Sequence, residues 1–191
     1  PRAWWAAARC RLARDETAAY IAALDRIPLD DPILGEEASR ERCLARVAAA
    51  VEGEDVALGC EAHLDRFDED PDVRLALARA QLLAGRIPEA HATLIRVELL
   101  HPTRSVAAEA KERRATLEFA WKDLRRPLTP DEKLEQGARL YDGYRYDAAM
   151  DIVRGVLDET PAEGSALWCA AQLLGGRTRA RQREQTKSMH W

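Results

Sequence analysis

Cysteine and histidine are the residues in this sequence best suited to metal or redox chemistry, but their spacing matches no metal motif. The cysteines are Cys10, Cys43, Cys60 and Cys169, and the histidines are His63, His91, His101 and His190. We therefore predict no metal and no cofactor. We expect the cysteines to be small buried side chains and the histidines to lie at surfaces or interfaces. The sequence leaves open whether any two of the cysteines form a disulfide.

Two segments carry an excess of one charge. Residues 52–72 hold nine acidic residues against one arginine, a composition that can attract a cation or a basic partner. The segment lacks the glycine and the spaced oxygen ligands of a calcium loop. Residues 177–187 hold five basic residues and one acid, which can contact a polyanion. The plainer interpretation is that both segments are solvated helix faces.

Three closely spaced tyrosines, Tyr141, Tyr144 and Tyr146, form the cluster most suited to binding a ligand. An aromatic ring beside a guanidinium can hold a peptide or a glycan. We take Arg79, Leu82 and Tyr141 as candidate residues of a binding groove, with ordinary packing as the alternative. No catalytic residue is assigned, because the sequence contains no glycine-rich phosphate loop, nucleophile elbow or HExxH motif.

The composition favours helices as the elements that position these residues. The 191 residues include 35 alanines and 23 leucines, while aromatic residues make up 6%. Such a mixture excludes a β-sandwich, a collagen-like chain and a disordered chain. No apolar run is long enough to span a membrane. The net charge of −4 argues against general nucleic-acid binding.

Glycine and proline divide the chain into segments of helical length, and no segment alternates like a strand. The break points are Pro28 to Pro32, Gly53, Pro71, Gly85, Pro102, Pro127 to Pro130, Gly143, Pro161 and Gly175-Gly176. We predict an all-α fold of ten or eleven helices.

Residues 71–102 have the clearest pattern, an antiparallel helix pair that begins at a proline. Gly85 lies in the predicted turn, and Ala78 lies on the inner face of the first helix. Ala90 and Leu94 lie on the apolar stripe of the second helix. The two helices should come closest at Ala78 and Ala90, where a large side chain would separate them.

Residues 130–161 repeat this arrangement. Gly137 marks the first helix, Gly143 the turn, and Tyr146 and Ala149 the inner face of the second helix. A more literal echo occurs further along, where AQLLAGR at 80–86 returns as AQLLGGR at 171–177. An internal repeat of helix pairs predicts a solenoid, with another turn at Gly175-Gly176.

These pairs resemble the tetratricopeptide repeat, a helix-turn-helix of about 34 residues. Ala78, Gly85, Ala90 and Leu94 match the pattern in the first pair, and Gly137, Tyr146 and Ala149 match it in the second. The pairs depart from the repeat pattern in two ways. Gly143 lies one residue before the turn position of the pattern. The aromatic residue of the first helix is replaced by Gln81 in the first pair and by Leu140 in the second. The resemblance implies a right-handed superhelix that binds a protein or peptide partner and has no catalytic role.

The rest of the chain fits this pattern less well. We predict degenerate helical repeats over residues 1–70, the regular pair over 71–102, and a long connecting helix within 103–129. The second pair and a truncated repeat would follow over 130–191. The whole would be one continuous solenoid, and we expect the chain to be a piece of a longer protein.

A narrower resemblance involves residues 99–119 and 126–150, which look like the helical N-terminal region of bacterial soluble lytic transglycosylases. It implies a superhelix beside a catalytic domain that lies outside this chain. The partner would then be peptidoglycan glycan strands and the compartment the periplasm. A plain interaction scaffold would instead be cytoplasmic.

Overall fold

A computed structural model describes residues 1–51, 53–67, 69–159 and 163–188. Within these ranges the only regular structure is helical, which confirms the all-α prediction. The ten α-helices are α1 (Arg2–Leu12), α2 (Thr17–Leu24), α3 (Gly35–Ala48), α4 (Glu54–Arg66), α5 (Pro71–Leu83), α6 (Ile87–Leu100), α7 (Ser105–Ala120), α8 (Pro130–Asp142), α9 (Tyr146–Glu159) and α10 (Ala166–Ser188). A short 3-10 turn lies at Lys122–Leu124. None of the helices in the described ranges combines the length and apolar character needed to cross a membrane.

The chain divides into two compact units, Pro1–Leu94 and Ile95–Trp191, with the boundary inside α6. In unit 1, α1 packs on α2, α2 on α3, α3 on α4 and α4 on α5, and α3 also contacts α5. The contact between α3 and α5 brings together the first helices of two successive pairs. Each pair therefore buries its apolar face against the next pair, as expected in a helical repeat.

Two clusters of buried side chains form the core of unit 1. The cluster around α1, α2 and α3 contains Ala8, Tyr20, Ala23, Leu24, Ile27 and Ala38. The cluster around α3, α4 and α5 contains Cys43, Val47, Val56, Ala57, Cys60, Val73, Ala76, Leu77 and Ala80. Because α3 contributes to both clusters, it couples one helix pair to the next.

Gln81, which replaces the aromatic residue of the repeat pattern, is buried and links three helices of unit 1. Its Oε1 accepts a hydrogen bond from the Thr93 hydroxyl on α6 at 2.8 Å. Its Nε2 donates to Glu61 on α4 at 3.3 Å. A buried amide with partners for both ends can fill a core position without the penalty of an unsatisfied polar group.

In unit 2, α9 packs between α8 and α10, and α8 also contacts α10. The start of α8 is capped reciprocally by Thr129 and Glu132. The Arg126 guanidinium binds both carboxylate oxygens of Glu132 at 2.7 Å. This ion pair is the main cause that lowers the pKa of Glu132 to about 2.

Four helix ends share one backbone turn. Asp15, Ala50, Gly85 and Tyr144 each have a positive φ, of 58°, 50°, 76° and 60°. At each turn the following N–H donates to the carbonyl five residues back, as from Arg86 to Gln81 at 2.8 Å. This is the Schellman arrangement, which satisfies the last carbonyls of a helix while the chain reverses. In unit 1 the turns lie 35 residues apart, at positions 15, 50 and 85.

The left-handed conformation of Tyr144 explains why Gly143 lies one residue before the turn position of the repeat pattern. Gly143 has an ordinary φ of −82°, and the left-handed position belongs to Tyr144. Gly143 is needed for space, since a Cβ there would lie 3.0 Å from Cγ2 of Thr103. The prediction of a turn was correct, but the residue with the special conformation was not the glycine.

The residues predicted at close helix contacts are buried. Ala78, Ala90, Leu94, Tyr146 and Ala149 are each less than a tenth exposed. Gly137 is also buried, and a Cβ on it would lie 3.1 Å from Ile152 Cγ2 and 3.4 Å from Leu174 Cδ2. Gly137 therefore allows α9 and α10 to approach α8 closely.

The predicted turn at Gly175-Gly176 is wrong. Helix α10 continues unbroken from Ala166 to Ser188 through both glycines. A Cβ on Gly175 would lie 3.1 Å from Val153 Cγ1, so this glycine permits close packing of α10 on α9. The same letters end a helix at residues 80–86 and continue one at 171–177, because packing on α9 extends along α10. Pro161, the predicted end of the second pair, lies outside the described residues.

The connecting helix is shorter than predicted. Helix α7 ends at Ala120, and Trp121 leaves the helical conformation with a ψ of 86°. Ala110 and Leu117 are buried, whereas Phe119 is 86% exposed. With no apolar face to bury beyond Leu117, propensity alone does not extend the helix.

A disulfide joins α3 to α4. Cys43 and Cys60 are bonded, with their Cα atoms 5.2 Å apart, and both lie in the core of unit 1. Cys10 and Cys169 are free and exposed, so the expectation of buried cysteines is wrong for these two. Spacing alone could not identify the pair, because the fold brings the two helices together.

We predict opposite effects of glycine and alanine at equivalent turns. Gly85→Ala should lower the free energy of unfolding by about 1–2 kcal/mol, because its φ is positive although the space around it is open. Ala50→Gly should raise it by about 0.5–1 kcal/mol for the converse reason. Chemical denaturation of each variant checks both signs. A loss on Ala50→Gly would contradict the shared turn.

We also predict that Cys43→Ser lowers the free energy of unfolding by about 3 kcal/mol, since a link of 17 residues is lost. The free energy of unfolding of this variant should equal that of the unmodified protein after its disulfide is reduced. Cys169→Ser serves as the control and should have no effect, because that thiol is free and exposed. Two alkylated cysteines in the unfolded, unreduced protein would confirm the link, whereas four would refute it.

Candidate functional site

The structure places the predicted groove residues in different units. Arg79 is exposed and Leu82 is half-buried, both on α5 in unit 1. Tyr141 is half-buried on α8 in unit 2. A groove formed jointly by the three residues therefore stays a prediction.

The tyrosine cluster is present in unit 2. The Tyr141 and Tyr146 rings lie 5.6 Å apart, and Tyr144 meets Tyr146 edge to face at 6.2 Å. Tyr146 is the buried member, whereas Tyr144 is 75% exposed. The Tyr141 hydroxyl and the Glu184 carboxylate raise the pKa of Arg181 on α10. Tyr141 is thus positioned by a ring on one side and a guanidinium on the other.

A second surface of unit 2 consists of two adjoining cavities, which together we call the Pro102 groove. Their volumes are about 480 and 430 Å³, and they share Pro102 and Gln136 in their walls. Thr103 packs on Gly143, which holds the α6–α7 loop against the α8–α9 turn. Pro102, in the same loop, lines both cavities.

The larger cavity is the apolar end of the groove. Helix α8 contributes Leu140, and helix α9 contributes Ala148, Ile152 and Gly155. Two charged residues also line it, Lys133 and Asp151. Each is engaged by another side chain: the Lys133 ammonium binds Glu159 at 2.5 Å, and the Asp151 carboxylate lies 3.4 Å from Arg154.

The smaller cavity is the basic end. Arg104, Lys111 and Arg145 line it, and none of the three forms a side-chain ion pair with any residue that the structure describes. The start of α7 also faces this cavity. Its N-cap residue is Arg104, which makes no capping hydrogen bond, and no acid lies in its first turn. The positive end of the helix dipole therefore adds to the three cations.

Glu98 is the acidic residue in the wall of the basic end, and its charge is already balanced. Arg114 on α7 binds both of its carboxylate oxygens, at 2.6 and 3.2 Å. Arg114 also binds Glu118 at 2.7 Å. The three side chains are largely buried, and such a paired network leaves little negative charge for the groove.

No metal-binding group of histidine, cysteine and acidic side chains occurs among the residues that the structure describes. His63 and His91 are buried, at 2% and 5% exposure, and His63 lies where α4 meets α3. His190 lies outside the described residues.

A serine and a histidine meet in the core of unit 1, but they are not arranged for catalysis. The Ser39 hydroxyl lies 2.6 Å from Nδ1 of His63, and both residues are buried. The Ser39 hydroxyl also lies 3.0 Å from the Glu36 carbonyl, which can accept its hydrogen bond. A nucleophile activated by a base needs an oxygen that a substrate can reach, and this hydroxyl is buried. The pair therefore links α3 to α4 within the core.

Most acids of the segment at 52–72 bind arginines of this chain. Arg40 on α3 binds Asp70 at 2.6 Å and Asp72 at 3.0 Å. Asp70 also caps α5, and the link to Arg40 is among the causes that lower the pKa of Asp70. At the other charged segment, Arg181 binds Glu184 at 2.8 Å. The side chain of Lys187 lies outside the described residues.

The sequence offered no signal for the Pro102 groove. Arg104, Lys111 and Arg145 are scattered along the chain and belong to no motif. Only the packing of the α6–α7 loop on the α8–α9 turn brings them to one cavity.

Comparison with known proteins finds a similar family for one part of the chain. A tetratricopeptide-repeat family model matches residues 60–113, from the second half of α4 into α7. Comparisons with curated proteins and with solved structures find no match. The match and the packing of successive helix pairs show a tetratricopeptide-like helical repeat. They give no support to a link with lytic transglycosylases.

The buried His63 predicts a pH dependence of stability. Burial lowers its pKa from 6.5, with Asp70 and Glu36 favouring the charged form and Arg40 opposing it. A folded-state pKa below the unfolded value means that stability is full above pH 6.5 and declines as the pH falls through this value. His63→Gln should flatten this decline between pH 7 and pH 5 in thermal melts. An unchanged slope would show that other groups cause it.

Proposed function

We propose that this chain is a non-catalytic scaffold that binds a protein or peptide partner through its helical repeats. The observation that carries the proposal is the tetratricopeptide match at residues 60–113, which covers the pair with the left-handed Gly85 turn. Stacked helix pairs expose rows of side chains on a rigid support, and such surfaces suit extended partners.

We propose Arg79, Leu82 and Tyr141 as residues of the binding surface. Arg79 is exposed and forms no side-chain ion pair with the part of the chain that the structure describes. Leu82 and Tyr141 are half-buried, so each keeps an accessible face. A guanidinium, an apolar side chain and an aromatic ring are the usual anchors of peptide recognition.

The disulfide supports a proposal about the compartment. A link between Cys43 and Cys60 persists in oxidising compartments and is rare in the cytosol. The bacterial periplasm, which the resemblance to lytic transglycosylases implies, is one such compartment. Glycan strands remain the partner in that alternative, and they would bind in place of a peptide.

Selection from a peptide library against the immobilised protein tests the scaffold proposal. Selected peptides should bind saturably in calorimetry. The binding of purified glycan strands, the alternative ligand, is measured in the same way. Failure of every peptide to bind saturably would refute peptide recognition. Binding of glycan strands alone would establish the alternative.

Tyr141→Ala should weaken a selected peptide about tenfold, because a ring at the surface is lost. It should lower the free energy of unfolding by about 1 kcal/mol, the contribution of one ring contact. Tyr141→Phe is the matched control for the ring. A large loss of stability with unchanged binding would assign Tyr141 to packing.

A further inference from the structure

We propose that the Pro102 groove binds an acidic, amphipathic segment of a protein partner. The inference rests on the proposed function and adds to it a second surface and the chemistry of the partner segment that this surface takes. Both ends of the groove lie in unit 2.

The basic end favours a carboxylate-rich partner. Three cations and the start of α7 face one cavity of about 430 Å³. Glu98 is the acid in that wall, and Arg114 already binds both of its oxygens. Arg104, Lys111 and Arg145 form no ion pair with any described residue, so an acidic ligand would meet an excess of positive charge.

The apolar end adds a requirement that charge alone does not supply. Leu140, Ala148 and Ile152 line a cavity of about 480 Å³, and the charged residues beside them are paired. Apolar side chains of a partner would be desolvated there. A nucleic acid would use the basic end alone, whereas a peptide with acids at one end and leucines at the other matches both ends.

Gly155 offers a way to block the apolar end without removing a contact. It lies within α9 and lines the cavity, and a Cβ built on it meets nothing within 4 Å. Gly155→Met should therefore place a side chain in the groove while improving helix propensity. Gly176 on α10 is equally unobstructed and does not line the groove, so Gly176→Met is the matched control.

The test measures fluorescence anisotropy of short fluorescein-labelled peptides with the full chain. The probe carries glutamates at one end and leucines at helical spacing. One comparison peptide has lysines for the glutamates, and another has serines for the leucines. A single-stranded oligonucleotide of similar length is the competing probe. The acidic, leucine-containing peptide should bind most tightly, and its affinity should fall as salt is raised.

Charge reversal tests the basic end. Arg104→Glu and Arg145→Glu should each weaken the acidic peptide about tenfold. Arg179→Glu makes the same change of charge on the exposed face of α10 and should leave binding unchanged. Gly155→Met should weaken the peptide by a similar factor, while Gly176→Met should not.

Three results would overturn the inference: equal binding of the peptides, insensitivity to all three groove variants, or tighter oligonucleotide binding that Gly155→Met leaves intact. If library-selected peptides bind but are insensitive to these variants, the scaffold proposal stands and the groove assignment fails. If no peptide of either kind binds, both fail.

Discussion

Reversal of the chain within a few residues is the constraint on which this helical repeat depends. Four of the reversals have one residue in the left-handed region, and the same hydrogen bonds close these turns at Asp15, Ala50, Gly85 and Tyr144. Only one of the four is glycine, so the other three turns retain backbone strain. Packing of the two helices on either side offsets that strain. The 35-residue interval between turns in unit 1 is therefore set by the backbone conformation and not by a glycine at every turn.

Close approach of helices is the second constraint, and it depends on the first. A tight turn brings two helices together at once, so small residues are needed where they meet. Gly137 serves this purpose between α8 and its neighbours, and Gly175 serves it between α9 and α10. Gly143 makes room for Thr103, and this contact holds the loop whose Pro102 lines both cavities of the Pro102 groove. The candidate surface is thus a consequence of how a turn and a loop pack.

Much of the helical architecture could be predicted from the sequence, because punctuation and apolar periodicity are local signals. Pro71 and Pro130 begin helices, and Ala78 and Ala90 lie buried between two of them. The errors occur where packing overrides a local signal. The echo at 171–177 lies inside α10, since Gly175 packs on Val153. Helix α7 ends early where its apolar side chains become exposed, since Phe119 is 86% and Trp121 47% exposed.

The sequence by itself determined the all-α fold class and the tetratricopeptide-like helical repeat, both of which follow from local composition and spacing. Only the tertiary structure decided which cysteines pair, where the left-handed residues lie, and which cations share a cavity. Cys43 and Cys60 meet because α3 and α4 pack together, and Arg104 and Arg145 meet because a loop packs on a turn. Such contacts join residues far apart in the chain, and no local pattern encodes them.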